Sequence, residues 1–408
     1  MLNCNRSSLN DKISQFSAFG ATKNGGVTRL TLSDEDIAAR DFIIDFCQSK
    51  DLITRVDDLG NIYATLKGTD GSKAILSGSH CDSVINGGNY DGILGVISAM
   101  ETIDTLLANH VQLAHDFTLV VWTNEEGVRF PPAMMSSGII TGEFTKETMF
   151  KVEDREGITF GEALAESSFQ GEFENRLVPN DAKAYLELHI EQGPILEANQ
   201  NDIGIVEGVV GMVNYDFIVR GQADHAGTTP MRYRQDALVT AAKLLLQLHE
   251  AFSGLADDLV FTFGEISAHP NLHTVIPDYV KFSLDARHKD AEVIQQVVDI
   301  INHLPQTINQ CQIEAIENWA RNTVYFNPSL VNAVSDVTKD LNYSNQRLYS
   351  GAGHDAQYIS KIVPTTMIFV PSKDGHSHCE IEYTSLEQCA KGIDVLLNTV
   401  ILIDKIAD

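Results

Sequence analysis

Short runs of consecutive apolar residues, each closed by polar ones, recur through the first half of the chain and return near its end. Lys73 to Ser79, Phe117 to Thr123 and Ala184 to Ile190 read as strands buried on both faces, the form a parallel strand takes. Between them, Ile93, Val96, Ile97, Met100, Ile103 and Leu107 recur at helical spacing across Gly92 to Leu107. Ser33 to Gln48 reads as an amphipathic helix, with Ser33 as N-cap and Asp34, Glu35 and Asp36 in its first turn. Strands alternating with helices in this way predict an α/β fold with a mainly parallel sheet between helices.

The rhythm changes near Gly211. Val213, Tyr215, Phe217 and Val219 alternate with polar neighbours along a strand to Arg220, and Asp236 to Phe252 reads as a helix. Strands at Leu259 to Ile266 and Asp278 to Arg287, a helix at Asp290 to Leu304 and a last strand at Gln312 to Asn318 follow. This β-α-β-β-α-β order is that of the ferredoxin-like motif. After about Asn322 the α/β pattern resumes, with a strand at Thr366 to Val370 and a helix from Ser385. The pattern therefore predicts one α/β domain, residues 1–210 and 323–408, interrupted by an inserted α+β domain, residues 211–322.

Composition narrows the function. A chain of 408 residues, 43% hydrophobic and 21% charged, is globular rather than disordered. Its net charge of −27 opposes a phosphate backbone, so no nucleic-acid partner is expected. No apolar run reaches the ~18 residues that would span a bilayer, so no membrane association is expected. The polar N-terminus shows no secretory signal. The six cysteines (Cys4, Cys47, Cys81, Cys311, Cys379 and Cys389) lack C-x-x-C spacing, and together these features point to a reduced, cytoplasmic protein.

The chemistry gathers where strands end. Ligands in an open sheet belong at the carboxyl ends of its strands, and four such ends carry them: Ser79-His80-Cys81-Asp82 with Tyr90-Asp91-Gly92, Asn124-Glu125-Glu126-Gly127, His189-Ile190-Glu191-Gln192-Gly193, and Gly375-His376-Ser377-His378. Imidazole and carboxylate without thiolate suit Zn2+, and also Mn2+ or Co2+. Asp91 is expected to bridge two ions, with His80 and Glu126 on one side and His189 and His378 on the other. Glu125, beside a ligand, is placed as general base. Asp82, two residues after His80, is placed to fix the imidazole tautomer. Cys81 and Cys379 are expected to face packing.

With these motifs goes a family resemblance that covers nearly the whole chain. Gly78-Ser79-His80, Gly88-Asn89-Tyr90-Asp91-Gly92, Asn124-Glu125-Glu126-Gly127, Leu188-His189-Ile190-Glu191-Gln192-Gly193, His225-Ala226-Gly227-Thr228-Thr229-Pro230-Met231 and Ser350-Gly351-Ala352-Gly353-His354-Asp355-Ala356 resemble the amidases of the hydantoinase/carbamoylase type, a branch of the aminoacylase-like dinuclear-zinc metallopeptidases. The resemblance implies a zinc-exopeptidase-like catalytic domain whose insert acts as a lid and forms a homodimer. It implies His80, Asp91, Glu126, His189 and His378 as ligands of two divalent ions, with Glu125 as base. It adds Gln192, His225, Thr274, Arg287, Gly353 and His354 as substrate contacts. A guanidinium such as that of Arg287 is the expected clamp for a carboxylate, against which stands a salt bridge to Asp285. His225, in a Gly/Thr/Pro turn, is placed to hold an oxyanion.

Three positions depart from the pattern or leave it open. Thr274 stands where this branch usually has Asn, and Ser136 where it has Gly. His376 offers a second imidazole beside His378. The activity expected is metal-dependent hydrolysis of a linear C–N bond in a small ureido acid, foremost an N-carbamoyl-L-amino acid, with allantoate next. A metallo-dipeptidase or N-acyl amino acid deacylase, and a catalytically silent binder, are the alternatives.

Overall fold

A computed structural model describes residues 1–71, 73–179 and 181–406. The chain divides into two compact units, Met1–Gly208 with Tyr325–Asp408, and Val209–Val324.

The larger unit is built on a mixed sheet. Its strands run in the order Ile53–Val56, Ile62–Leu66, Phe117–Trp122, Ala74–His80, Ala182–Ile190, Thr365–Val370 and Ile203–Val209. The four central strands, from Phe117–Trp122 to Thr365–Val370, are mutually parallel. Their residues are almost all buried, as the apolar runs require of strands covered on both faces. The flanking strands pair antiparallel. These flanks were not predicted, since they are short and mix polar residues and glycine into the pattern.

Helix Asp34–Ser49 starts where its cap predicts, the Ser33 side chain accepting the Asp36 N–H. Helix Ile93–Ala108 is buried on almost every side, but Leu107, expected on its apolar face, points out and Leu106 packs inward instead. The final helix, Leu386–Asp404, opens with a reciprocal bond pair between Ser385 and Gln388.

In the smaller unit, an antiparallel sheet runs Ile266–His269, Tyr279–His288, Gly211–Arg220, Cys311–Arg321 and Thr307–Ile308. Its four main strands lie in the ferredoxin-like order, second-third-first-fourth. Val213, Tyr215, Phe217 and Val219, with Val280, Phe282, Leu284 and Ala286, form an apolar face that helices Ala237–Ser253 and Ala291–Asn302 cover. The single strand expected over Leu259 to Ile266 is broken in two. Val260–Thr262 and Ile266–His269 pair separately with Tyr279–His288, either side of Phe263-Gly264-Glu265.

Candidate metal centre

The carboxyl ends of the four parallel strands lie side by side, because each strand is in parallel register with its neighbour. His80 ends its strand opposite Trp122, and His189 sits opposite Phe369 one strand further on. The segments after Trp122 and after Val370 bring in Glu125 with Glu126, and His378. The turn into Glu125 passes through Asn124 at φ 62°, a conformation asparagine tolerates better than most residues, and the Asn124 amide donates to the Phe130 carbonyl at 2.7 Å.

Hydrogen bonds fix the imidazoles. Nδ1 of His80 faces the Asp82 carbonyl at 3.0 Å, and Nδ1 of His189 faces the Ile190 carbonyl at 2.9 Å. A carbonyl only accepts, so both Nδ1 atoms carry a proton, and Nε2 is on each ring the nitrogen left to ligate a cation. The Gly92 N–H donates to Nε2 of His189 at 3.2 Å, in keeping with that tautomer.

Around Asp91 these groups form two triads. His189 Nε2 lies 3.1 Å and His80 Nε2 3.9 Å from Asp91 Oδ1. His378 Nε2 lies 3.2 Å from Asp91 Oδ2 and 3.6 Å from Glu126 Oε2. In each triad, His80–Asp91–His189 and Asp91–Glu126–His378, the ligand atoms lie within 4.8 Å of one another. This corrects the expected pairing of His80 with Glu126 and of His189 with His378. His80 and His189 project from adjacent strands, so their rings come within 6.1 Å, whereas Glu126 and His378 both arrive on loops beyond the strand ends. His376 is exposed and belongs to neither triad.

Asp82 is buried, but its carboxylate is not the close partner of His80. That is its own backbone carbonyl, the carboxylate standing 3.7 Å from Nδ1. The carboxylate accepts the backbone N–H groups of Glu125 at 3.3 Å and Glu126 at 3.2 Å, and the Thr31 hydroxyl at 2.9 Å. It thus holds the Glu125-Glu126 turn. Cys81 turns away, as expected, its thiol donating to Asp36 in a buried cluster with Arg40.

Glu125 is buried, with Oε2 3.7 Å from His80 Nε2. Burial, and then the charges of Asp355, Glu126, Asp82 and Asp91, hold its carboxyl well above the usual range. Glu126 is raised by burial and by Asp91, Asp82 and Glu382. For His189, burial acts downward, but its hydrogen bond to Asp91 and that charge outweigh it and bring the pKa up to about 9.

The donor set fits divalent cations. The ligating nitrogens of buried imidazoles converge on buried carboxylates, and a cation between them would relieve the mutual repulsion of those carboxylates. Glu126 Oε1 is buried without a hydrogen-bond partner, while Oε2 of the same carboxylate faces His378. Imidazole and carboxylate suit Zn2+, Mn2+ and Co2+ alike.

The remaining candidates are distributed over both units. Gln192, at φ 57°, donates through Nε2 to Asp91 Oδ2 at 2.9 Å, and its Oε1 is buried with no partner. His354 is buried rather than presented outward, 2.9 Å from the Ser350 hydroxyl and edge-on to His189 at 4.5 Å between ring centres. Burial and the nearby His189 lower its pKa well below the ordinary value, so it is neutral. Gly353 precedes it, half-buried.

In the smaller unit, His225 is exposed, and its Nδ1 accepts the N–H groups of Gly227 at 3.0 Å and Thr228 at 3.2 Å. Its proton is therefore on Nε2. Val275 pairs with His225, and the Thr274 carbonyl accepts the Ala226 N–H at 3.0 Å. Arg287 lies on the polar face of its strand, as expected, and there bonds Asp285 at 2.6 Å.

Two acidic residues of this region were not foreseen. Asp355 is buried and accepts the Ser137 hydroxyl, and Glu382 is buried beneath the Asp91 loop. Neither lies in a periodic pattern that would signal a role.

The profile of peptidase family M20/M25/M40 matches residues 76–401. The chain is 37% identical over 396 residues to the allantoate amidohydrolase of Bacillus subtilis (strain 168), covering 96% of each. It is 36% identical over 400 residues to an N-carbamoyl-L-amino-acid amidohydrolase of Paenarthrobacter aurescens, covering 97% of this chain and 96% of the relative. A crystal structure of an amidase of the hydantoinase/carbamoylase family from Burkholderia multivorans superposes with a TM-score of 0.92 at 35% identity, over the full length of both chains.

Proposed function

The chain belongs to peptidase family M20/M25/M40 and is a metal-dependent amidohydrolase acting on C–N bonds other than peptide bonds, and from that premise we propose that it hydrolyses a ureido acid. An N-carbamoyl-L-amino acid is the substrate assigned first and allantoate second; the former yields amino acid, carbon dioxide and ammonia. The observation that carries this reading is the pair of triads sharing Asp91, with Glu125 beside His80. His80, Asp91 and His189 are assigned to one divalent ion, and Asp91, Glu126 and His378 to a second, with Zn2+ the first choice and Mn2+ or Co2+ the alternatives. Ions bound there would polarise the carbamoyl carbonyl and acidify water.

The protein's own groups perform the proton transfers. Glu125, buried and held basic by its neighbours, accepts a proton from the attacking water and returns it to the leaving nitrogen. Asp82 fixes the turn on which Glu125 stands. The carbonyl of Gln192, without a partner, suits a ureido N–H. Of the residues in the smaller unit, His225 offers an Nε2–H suited to an oxyanion, and Arg287 a guanidinium suited to the substrate carboxylate. Thr274, Gly353 and His354 complete the assigned contacts. The smaller unit is also assigned the homodimer contact and the lid. Among the described residues no helix is long and apolar enough to cross a membrane, and a cytoplasmic location is part of this proposal.

A screen that reads amino-acid release from carbamoyl amino acids, acyl amino acids and dipeptides, and ammonia release from carbamoyl amino acids and allantoate, with Zn2+, Mn2+ or Co2+ added in turn, tests the reading. Turnover of carbamoyl amino acids or allantoate is expected. Preference for dipeptides or acyl amino acids overturns the substrate assignment, and tight binding without turnover makes the protein a binder.

A further inference from the structure

We infer that Glu382 is a positioning residue that sets both cation-binding triads at once, by holding the Asp91 backbone and the His378 loop in one geometry. The inference rests on the metal-ligand assignment proposed above. Glu382 is 3% exposed, and three donors meet its carboxylate. Oε1 accepts the backbone N–H groups of Tyr90 at 3.0 Å and Asp91 at 3.1 Å. Oε2 accepts the Ser377 hydroxyl at 2.9 Å, and that same hydroxyl lies 3.2 Å from Asp91 Oδ2.

One carboxylate therefore ties together two segments nearly three hundred residues apart in sequence. The first carries Asp91, and the second carries His378 next to Ser377. The slot is shaped for it: a β-carbon on Gly88 would stand 2.0 Å from Glu382 Oε1. That accounts for a glycine three residues before Asp91, which no turn conformation demands. The loop is fastened on its far side as well, where the Lys373 N–H donates to the Tyr383 carbonyl at 2.9 Å and the Thr384 hydroxyl to the Pro371 carbonyl at 2.9 Å.

Glu382 belongs to neither triad, and its oxygens are already engaged. Its influence passes through Asp91. Since Asp91 directs Oδ1 to His80 and His189 and Oδ2 to His378, a displaced Asp91 backbone disturbs both triads together. A partner that orients a ligand in this way commonly changes metal affinity by ~10–100-fold.

The test uses Co2+ as probe. The full chain, stripped with chelator, is titrated with Co2+ while visible absorption reports the coordination of each ion and chelator competition reports affinity. Near-UV circular dichroism of the stripped protein checks the fold. The unaltered chain should take up two ions, and Glu382→Ala should bind both at least ~10-fold more weakly with its fold intact. Glu382→Gln should recover most of the loss, since its carbonyl still accepts the two backbone N–H groups and its amide still meets the Ser377 hydroxyl.

Unchanged affinity for both ions in Glu382→Ala, loss of one ion alone, or equal loss in the alanine and glutamine variants overturns the inference while leaving the metal assignment standing. No Co2+ uptake by the unaltered chain overturns both. Should the alanine variant not fold, Gly88→Ala, which drives a methyl group into the Glu382 carboxylate, gives the same reading: weaker binding of both ions supports the inference and unchanged binding overturns it.

Discussion

Gly92 packs against the imidazole of His80, so closely that a β-carbon at residue 92 would stand 2.2 Å from Cε1 of the ring. Its φ of 66° is also one that side-chain-bearing residues avoid. Gly92→Ala should therefore displace His80 and weaken the His80–Asp91–His189 triad. We expect metal affinity to fall ~10–100-fold, measured by chelator competition, with the protein still folded.

Glu125→Gln should separate binding from chemistry. The amide keeps the size of the side chain but takes up no proton at working pH. Metal content, by elemental analysis, should be unchanged, and kcat should fall by ~10²–10⁴. Near-normal turnover would remove Glu125 as the base.

The carboxylate of Asp82 accepts two backbone N–H groups and a hydroxyl, which an amide cannot reproduce because one of its two heavy atoms is a donor. Asp82→Asn should disorder the Glu125-Glu126 turn and lower kcat ~10–100-fold. The tautomer of His80 should persist, since the backbone carbonyl of residue 82 remains. Proton NMR of the His80 ring N–H checks this: loss of that signal would restore the carboxylate as its orienting partner.

Metal-stripped protein should lose stability as pH rises. Glu382 is lifted to about 7 by burial and by Asp91, so folding favours its protonated form. That contribution is complete below its ordinary value near 4.5 and gone above about 7. His189, raised to about 9, contributes below its ordinary 6.5, and this is lost as pH climbs through about 9. Asp91, held low by its imidazole partners despite burial, stays ionised throughout and adds no slope. His354, held low by burial, opposes this slope below its ordinary 6.5, so thermal melts of stripped protein should fall between about pH 6.5 and 9, and added metal should flatten the curve. A stripped protein that is stabilised by rising pH over that range would contradict this.

The central strands and the identities of the clustered side chains were legible in the sequence, for a single reason. Parallel strands buried on both faces leave continuous apolar runs, and the polar residues that close those runs must stand at one edge. How the ligands divide was not legible. His80 and Glu126 look like partners when read along the chain, but neighbouring strands bring His80 to His189. Ser136 had no reading from sequence; its hydroxyl accepts the Thr123 N–H at 3.1 Å, at the root of the Glu125-Glu126 turn. Glu382 and Asp355 act through a backbone amide and a serine hydroxyl, contacts that leave no pattern. The gap at Phe263-Gly264-Glu265 was marked only by Gly264, a residue that weakens a strand interior.

His80 and His189 are fixed in strands and almost fully buried, whereas the His378 side chain is 52% exposed, at φ 55° on a loop. The two halves of the centre thus differ in wall and in door. A cation held by the inner half would be enclosed, while one held with His378 would face bulk water on one side. Dialysis should empty the pair in sequence, the outer occupant leaving in a fast phase and the inner in a slow one. Foreign ions should enter by the same order, so an enzyme with mixed occupancy is the expected product of purification in any buffer that carries trace metals.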